Sequence, residues 1–225
     1  FGSGATVATV RTEDALLDNP PDPRQRPQIP LMSSRQLRQQ LRQQRRSLST
    51  TAAIRCAEEM AHRTARHPLL LNSRSIATYL AADGEIDPWP LLQELWSLGK
   101  DIYLPVLTPF DKYKLWFAAF EPGDELALNR FGIPEPVRRR LIKPCALDLV
   151  LTPLVAFDEA GHRIGMGGGF YDRSFAFLNR RQHWHKPRLL GLAYELQKLD
   201  AIKANSWDIP LHAIATEAAI YTAAR

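Results

Sequence analysis

The protein has 225 residues, of which 45% are hydrophobic and 24% charged, and its formal net charge is +5 at pH 7. This length and composition are typical of one ordinary domain that can bury a substantial core. No apolar run approaches transmembrane length and the first residues lack an apolar signal-peptide core, so we expect no membrane association. Cys56 and Cys145 stand far apart without CxxC or metal-type spacing, which favours reduced thiols in the cytoplasm.

The positive charge is concentrated in one segment. Residues 24 to 46 contain seven arginines and no acidic residue, so the rest of the chain carries a net charge of −2 once those seven are subtracted from +5. Such a basic arm can bind nucleic acid, but a small polyanion is an equal candidate. Residues 1 to 31 contain five prolines, at positions 20, 21, 23, 27 and 30, which exclude helices and strand ladders alike, and we expect this segment to be disordered or extraneous to the fold.

The first predicted element is a basic helix that begins at Ser33 or Ser34, since either serine can cap it. Its apolar stripe is thin and comprises Leu37, Leu41 and Leu48. Several of its arginines share one side of the helix because they recur every three or four residues: Arg35, Arg38, Arg42 and Arg45. A solvated polar face is the ordinary interpretation of that pattern. A second helix is predicted from Ser49 or Thr50 to a point before Pro68.

A β-loop-α-β pattern follows. Residues 74 to 80 resemble a buried strand, a helix begins near Asp87 and Pro88 and is closed by Gly99, and residues 101 to 107 form the next strand. This order implies a parallel pair of strands. The loop after the first strand carries Glu85, at the strand end where α/β sheets bind ligands. Residues 114 to 120 are predicted to form a further strand, in a hairpin with the preceding one.

The most informative stretch runs from residue 148 to residue 178. Residues 148 to 157 are predicted to form one buried strand, 165 to 169 (Gly-Met-Gly-Gly-Gly) a loop, and 170 to 181 a helix. Glycines allow a backbone to approach phosphate and point N–H groups at it, and a helix start adds partial positive charge. Arg163 offers a guanidinium before the loop, and Asp172 could hold a divalent cation after it. A tight structural turn is the alternative interpretation of the glycines alone.

Two late strands, at residues 188 to 194 and 213 to 216, complete the predicted fold. We expect residues 32 to 225 to form a single α/β domain with an N-terminal basic helix. Its architecture is expected to be a three-layer α/β/α Rossmann-like domain with a mixed, mostly parallel sheet. The candidate motifs converge at the carboxyl ends of the strands.

The stretch around the glycine loop also resembles a family signature, approximately PxxxFDxxGxRxGxGxGYYD. The matching positions are Pro153, Phe157, Asp158, Gly161, Arg163, Gly165, Gly167, Gly169, Phe170, Tyr171 and Asp172. The only departure is Phe170, where the pattern has tyrosine. The sequence from about residue 34 to residue 217 resembles the 5-formyltetrahydrofolate cyclo-ligase (5,10-methenyltetrahydrofolate synthetase) family.

That resemblance implies ATP-dependent conversion of 5-formyltetrahydrofolate to 5,10-methenyltetrahydrofolate, with phosphorylation of the formyl oxygen, ring closure by N10, and release of ADP and phosphate. It implies ATP binding by Arg35, Arg38, Arg42, Arg163, Gly165, Met166, Gly167, Gly168, Gly169, Phe170, Tyr171 and Asp172. Arg163 and Arg38 are the expected catalytic residues, acting on the charge of the transferring group. The folate would be bound by Tyr79, Glu85, Phe131 and Tyr171. Mg²⁺ would be held by Asp172 and Asp208.

The residues alone leave other interpretations open. Glu85 could be a solvated loop residue, Tyr79 a core residue, Phe131 a hydrophobic corner and Asp208 an ordinary turn residue. Two rival functions also remain: a nucleic-acid-binding module that uses the basic helix, and another α/β enzyme that uses sugar phosphates on the same loop. With small-molecule substrates, we expect no nucleic-acid partner and a monomer or weak homodimer. Arg163→Ala is expected to slow turnover and leave the fold intact.

The family pattern also has cations that this sequence lacks. The resembled proteins open with a lysine where Ser34 stands here, and some carry a lysine in the glycine loop at the position of Gly168. We therefore expect another cation near the loop to supply that charge, with Arg163 or the basic helix as the candidates.

Overall fold

The computed structural model describes residues 33–138, 140–181 and 186–223. The prediction for residues 1 to 31 lies outside these ranges. The described helices are α1 (Ser34–Arg46), α2 (Thr50–Thr64), α3 (Pro68–Leu71), α4 (Trp89–Ser97) and α5 (Phe170–Phe175). None of them is long and apolar enough to cross a membrane.

Eight of the described strands form one sheet. In chain order they are β1 (Ser75–Ala77), β2 (Asp101–Thr108), β3 (Asp111–Ala119), β4 (Leu126–Leu128), β5 (Pro134–Pro136), β6 (Leu141–Ile142), β7 (Leu149–Pro153), β8 (Ala156–Phe157), β9 (Arg163–Ile164), β10 (Arg188–Leu192), β11 (Ala213–Ala215) and β12 (Ile220–Thr222). The large sheet has the order β12-β11-β10-β7-β1-β2-β3-β6, and two small hairpins pair β4 with β5 and β8 with β9.

The centre of the large sheet is parallel and its edges are antiparallel. The strands β11, β10, β7, β1 and β2 run parallel to one another, whereas β12, β3 and β6 pair antiparallel. The predicted α/β fold with a mixed, mostly parallel sheet is therefore confirmed. From β1 the chain proceeds to β2 on one side, and from β7 to β10 on the other. The gap beyond the carboxyl ends of β1 and β7 is thus the topological switch point, where such sheets bind ligands.

Apolar clusters cover both faces of the sheet. On one face, residues of α2 and α4 such as Met60 and Leu92 pack on Ile76 and Leu151. On the other face, Phe175 of α5 packs with Phe117 and Val150. The sheet is buried on both sides, which explains why its central strands are nearly continuous apolar runs rather than alternating ones.

Helix α1 lies at the switch point because of its cap and its narrow apolar stripe. Ser33 caps it as predicted, with Gln36 completing a capping box. Leu41 is buried, and with Leu37 it packs on Val155 and Ala156, which follow β7. The polar side of α1 is thereby held next to the loops that follow β1 and β7.

Several predicted elements differ from the structure. The single strand predicted at residues 148 to 157 divides into β7 and β8, because the chain leaves the sheet after Pro153 and pairs with β9 around a tight turn. That turn is closed by Asp158, whose carboxylate accepts hydrogen bonds from the main-chain N–H groups of His162 and Ile202. The helix predicted from 170 to 181 is α-helical only to Phe175 and continues as a 3₁₀ helix, Ala176–Arg180.

Candidate functional site at the sheet switch point

Three segments meet beyond the carboxyl ends of β1 and β7. They are the loop at residues 78 to 88, the glycine loop at 165 to 169, and the polar side of α1. Arg45 joins all three, with its side chain fully buried. Its guanidinium donates to the carbonyl oxygens of Asp83 (2.9 Å) and Leu154 (3.2 Å) and to Asp83 Oδ2 (2.9 Å), and its Nη2 lies 3.8 Å from Met166 Sδ.

Arg45 is the residue at this site that the sequence interpretation missed as functional. It was grouped with the other arginines of α1, whose ordinary role is a solvated face. The usable signal was its position, four residues after Leu41 and three before Leu48, which places it on the apolar stripe rather than beside it. An arginine on a buried stripe needs acceptors there, and the loop carbonyls and Asp83 provide them.

Asp83 is the common partner of three arginines of α1. Its carboxylate is 2.6 Å from Arg42 Nε, 2.9 Å from Arg45 Nη2 and 3.3 Å from Arg46 Nη1. The hydrogen bond from Arg42 is the main cause that lowers the pKa of Asp83, and Arg45 adds to it. Asp83 has a left-handed backbone with φ of 53°, which aspartate tolerates better than most residues, and Gly84 follows at 74°. The tight turn therefore presents its carboxylate to α1.

Glu85 follows Asp83 by two residues in the same loop and is nearly buried. Its side chain is 11% exposed, Oε2 accepts the N–H of Ala82 at 3.2 Å, and Oε1 lies 3.8 Å from Arg45. Burial raises the pKa of the Glu85 carboxyl more than the nearby arginines lower it. A carboxylate kept in this environment is a candidate for accepting N–H groups of a ligand.

Tyr79 supports this loop from below. It is 4% exposed, and its hydroxyl donates to the carbonyl of Ile86 at 2.8 Å. The core interpretation of Tyr79 therefore describes its position in this structure, because its polar end is already used to hold the loop. Its predicted contact with folate stays a prediction; in this structure its hydroxyl holds the loop that carries Glu85.

The glycine loop is bracketed by two arginines that bind its carbonyl groups. Arg38 Nε of α1 donates to the Gly165 carbonyl at 2.8 Å, and Arg173 Nη2 of α5 donates to the Gly168 carbonyl at 2.7 Å. Among the described residues, none accepts a hydrogen bond from the main-chain N–H groups of residues 165 to 169. With the Gly165 and Gly168 carbonyls bound and these N–H groups available, the loop can bind an anion.

Positive φ angles at Gly167 and Gly169 explain two of the glycines. Their values, 102° and 62°, lie in the left-handed region where side chains are strained. Gly168 has no such constraint, and a Cβ there would meet the Phe170 ring at 3.1 Å. The exposed Met166 completes the loop.

Arg163 has a buried, paired side chain beside the glycine loop. Its side chain is only 6% exposed; it binds Asp172 Oδ1 at 2.6 Å and donates to the carbonyl of Ile209. The guanidinium predicted before the loop is thus fixed by two acceptors, and its contact with a phosphate stays a prediction. Asp172 Oδ1, which binds Arg163, also accepts a long hydrogen bond from the main-chain N–H of Ile209, at 3.4 Å. Arg163 and Asp172 thus form one ion pair that connects the glycine-loop segment to the late loop.

Asp208 lies immediately before Ile209 and closes its own turn. Its Oδ2 accepts the main-chain N–H of Asn205 at 2.8 Å and the side-chain amide of Asn205 at 3.1 Å. Within the described ranges, no group of three or more His, Cys, Asp or Glu residues could hold a metal ion. The structure therefore brings Asp208 to the neighbourhood of Asp172 but shows no metal site made by protein ligands alone.

Aromatic side chains flank the glycine loop. Phe131 is 56% exposed in the β4–β5 hairpin, and its ring meets that of Phe170 edge-on at a centroid distance of 6.2 Å. Tyr171 is partly buried; burial raises the pKa of its hydroxyl, and the charge of Glu85 adds to this effect. The predicted folate residues Phe131, Tyr171 and Glu85 are therefore near the loop, whereas Arg35 is exposed at the start of α1.

Comparison with known proteins identifies the family. Residues 31–217 match the model of the 5-formyltetrahydrofolate cyclo-ligase family. The chain belongs to that family. It is 40% identical over 183 residues to the 5-formyltetrahydrofolate cyclo-ligase of Escherichia coli K12, covering 80% of this chain and 98% of that protein. It is 38% identical over 184 residues to the cyclo-ligase of Haemophilus influenzae, covering 78% and 95%.

A solved structure of the same family supports the fold. The NMR structure of 5,10-methenyltetrahydrofolate synthetase from Aquifex aeolicus superposes with a TM-score of 0.73 at 29% identity, covering 86% of this chain and 94% of that one. The family match includes α1, both loops of the switch point and the late loop at Asp208. All the segments that build the cyclo-ligase candidate site therefore lie inside the matched region.

Proposed function

We propose that this protein converts 5-formyltetrahydrofolate to 5,10-methenyltetrahydrofolate with ATP, releasing ADP and phosphate. Its family membership and the names of its bacterial relatives support this conversion. One structural observation carries the ATP part of the proposal. In the loop of residues 165 to 169, Arg38 holds the Gly165 carbonyl and Arg173 the Gly168 carbonyl, and the loop's N–H groups have no acceptor among the described residues. The loop lies at the switch point that also holds Glu85.

The charges around the switch point favour a polyanion. Arg38, Arg42, Arg45 and Arg46 surround the site against the two carboxylates of Asp83 and Glu85. Two positive charges therefore remain in excess next to a loop that offers N–H donors. A nucleotide triphosphate suits such a site, since phosphoryl transfer depends on positioning and charge stabilisation rather than on an enzyme nucleophile.

The proposed reaction proceeds in two steps. The formyl group on N5 is amide-like, so its carbon resists attack and its oxygen leaves poorly. The formyl oxygen attacks the γ-phosphorus of ATP, the bond to the β,γ-bridging oxygen breaks, and ADP departs. N10 then attacks the activated carbon, loses its proton, and phosphate leaves with the former formyl oxygen. The product is 5,10-methenyltetrahydrofolate.

The chain's own residues would act by binding and orientation. The N–H groups of the glycine loop bind phosphate oxygens, and Arg38 lies next to them while holding Gly165. Arg35 is exposed at the start of α1 and Arg42 is half-buried, and both would extend the phosphate site outward. Arg163 acts through Asp172, whose carboxylate it fixes.

The donor set suits Mg²⁺ if the nucleotide supplies most of the ligands. Mg²⁺ in nucleotide sites is commonly bound by one or two carboxylates together with phosphates and water. Asp172 Oδ2 and Asp208 Oδ1 accept no hydrogen bond from another described residue, so each acid retains one oxygen for a cation. When bound, the ion would neutralise charge on the phosphates.

The folate is proposed to occupy the side of the loop that faces Glu85. Its pterin presents adjacent N–H donors, which a carboxylate can accept in pairs. Phe131 and Tyr171 would contact the flat ring system by stacking or edge contact. Both substrates would then meet where the glycine loop and the Glu85 loop converge.

The rival function as a nucleic-acid-binding module is less consistent with the paired arginines. Three of the α1 arginines bind Asp83 rather than forming a free cationic face. A nucleic-acid footprint requires cations that are available to successive phosphates. The expectations of a cytoplasmic location and of a monomer or weak homodimer stay predictions.

Thermal melting with each ligand separates the alternatives. We expect MgATP and 5-formyltetrahydrofolate each to raise the Tm, since a ligand at 100 times its Kd stabilises by about 2.7 kcal/mol. An absorbance assay for methenyltetrahydrofolate should then show turnover only when both are present. Stabilisation by neither ligand, or steeply salt-dependent binding to RNA or DNA, would refute the proposed function.

A further inference from the structure

Arg173 contacts the glycine loop but has no assigned role. It follows Asp172 on α5 and is exposed. Its Nη2 donates to the Gly168 carbonyl at 2.7 Å, its Nε donates to the Tyr113 carbonyl at 3.0 Å, and its guanidinium carbon lies 5.1 Å from the centroid of the Phe170 ring. One side chain therefore connects the loop to β3 through two separate donors.

We propose that Arg173 is a positioning residue that orients the Gly168–Gly169 peptide so that the Gly169 N–H faces the nucleotide. In a trans peptide the carbonyl and the following N–H point in opposite directions. Because the Gly168 carbonyl is directed at Arg173, the Gly169 N–H is directed away from it. This inference rests on the proposed function, since it concerns the phosphate site of the same reaction.

The loop needs such a restraint because it consists of glycines. Peptide inversion requires rotation about ψ of Gly168 and φ of Gly169, and glycine accepts both signs of φ at little cost. An inverted peptide would present a carbonyl oxygen to phosphate, and two anionic or partly negative oxygens repel each other. A guanidinium that holds the carbonyl from the opposite side removes that alternative.

The guanidinium and the loop are fitted to each other. A Cβ at Gly169 would lie 2.7 Å from Arg173 Nη1, closer than such atoms approach. The arginine thus occupies the space that a side chain at residue 169 would need. Its two donors also lie in one plane, so they can bind the Gly168 and Tyr113 carbonyls together, which a single ammonium cannot reproduce in the same geometry.

Arg181, which directly follows the 3₁₀ continuation of α5, provides a matched control. It too packs on an aromatic ring, 4.5 Å from the centroid of Phe177, and it too donates to a main-chain carbonyl, that of Lys186. Both of these contacts lie away from the glycine loop. Arg181→Ala therefore removes the same kinds of contact without touching the proposed phosphate site.

The test compares steady-state kinetics of Arg173→Ala, Arg173→Lys and Arg181→Ala with those of the unchanged protein. For Arg173→Ala we expect the KM for ATP to rise about tenfold, as for one misplaced hydrogen bond to a charged group. The KM for 5-formyltetrahydrofolate should stay within about twofold, and the ligand-free Tm within a few degrees, since the side chain is exposed. Arg181→Ala should change neither KM.

Arg173→Lys distinguishes orientation from direct phosphate binding. A lysine retains the charge but not the paired donors, so orientation predicts that the KM for ATP stays several-fold raised. Full recovery by lysine would overturn the inference in favour of a direct charge contact. So would an unchanged KM in Arg173→Ala, or an equal effect of Arg181→Ala.

Measurements on the unchanged protein test the proposed function separately from the inference about Arg173. If that protein converts 5-formyltetrahydrofolate with ATP while Arg173→Ala behaves identically, only the inference about Arg173 fails. If the unchanged protein neither turns over nor gains Tm with a non-hydrolysable ATP analogue, the proposed function and the inference fail together.

Discussion

Asp83→Asn tests whether the connection between α1 and the Glu85 loop is held by charge. Asparagine keeps a side-chain oxygen and tolerates the left-handed backbone of residue 83, so the turn itself should persist. What the substitution removes is the negative charge that faces three arginines. Arg45 would remain buried, with Glu85 at 3.8 Å as its nearest carboxylate.

The expected loss follows from the exposure of each partner. A hydrogen bond to a charged group contributes about 1.5–3 kcal/mol when it is sheltered. The hydrogen bond from Arg42 contributes less to the free energy of unfolding, because that side chain is 36% exposed and solvent screens it. The hydrogen bond from Arg45 contributes more, because its guanidinium is fully buried. Leaving a buried charge with a weaker partner is costly. We therefore expect the free energy of unfolding to fall by about 2–4 kcal/mol.

Urea unfolding monitored by circular dichroism measures this loss. Asp101→Asn is the matched control: Asp101 accepts from Arg74 at 3.0 Å, but the two side chains are 46% and 80% exposed, so we expect less than about 1 kcal/mol. A loss at Asp83 no larger than that at Asp101 would refute the buried-charge argument.

The pH dependence provides a second check on Asp83. The pKa of Asp83 is lower in the folded protein than in the unfolded chain. The ionised carboxylate therefore contributes its full stabilisation above the unfolded-state pKa of about 3.9, and this contribution is lost as the pH falls through the folded-state pKa. The stability gap between the unchanged protein and Asp83→Asn should therefore be constant near neutral pH and shrink in acid. A gap that persists undiminished at pH about 2 would show that the charge is not its cause.

Three further substitutions test the site. Burial raises the pKa of Glu85, so its ionisation destabilises the ligand-free fold as the pH rises above the unfolded-state pKa of about 4.3. The Tm of Glu85→Gln relative to that of the unchanged protein should therefore rise between about pH 4 and 8, and the KM for folate should increase. A Tm difference that stays constant over this range would contradict the argument. Arg163→Ala should slow turnover and, contrary to the expectation from sequence, lower the Tm by several degrees, since Asp172 loses its partner; an unchanged rate would remove Arg163 from the mechanism. Phe131→Ala should raise the KM for folate with little change in Tm, because the ring is exposed, and an unaltered KM would exclude the stacking role.

The features predicted well from the sequence are those set by local chemistry. The Ser33 cap and the parallel pair of β1 and β2 follow from capping residues and hydrophobic period, which act over a few positions. The strand, loop and helix around residues 165 to 169 follow from glycine density in the same way. These signals do not require knowledge of what packs on them.

The features that were missed depend on distant partners. A continuous apolar run from residue 149 to residue 157 does not show where the chain leaves the sheet, because β7 and β8 are both buried. The state of Arg163 depends on Ile209, 46 residues away, and that of Arg45 on Leu154, 109 residues away. Sequence periodicity identifies the face of a helix or strand on which a side chain lies. It does not identify the hydrogen-bond acceptors that distant segments bring to that face.

The burial of Arg45 follows from the same topology that opens the site. At the switch point the chain diverges after β1 and after β7, which leaves the carbonyl groups of Asp83 and Leu154 without strand partners. Buried carbonyls require donors, and here they lie in different directions beside a carboxylate. A guanidinium offers five N–H groups in one plane and can bind all three acceptors. Among the described residues, an apolar side chain would leave the Asp83 carbonyl without a donor and the Leu154 carbonyl with only the side-chain amide of Gln197. The topology that opens the crevice therefore also favours a buried cation at its base, and Arg45 connects the Glu85 loop and the glycine loop to one helix.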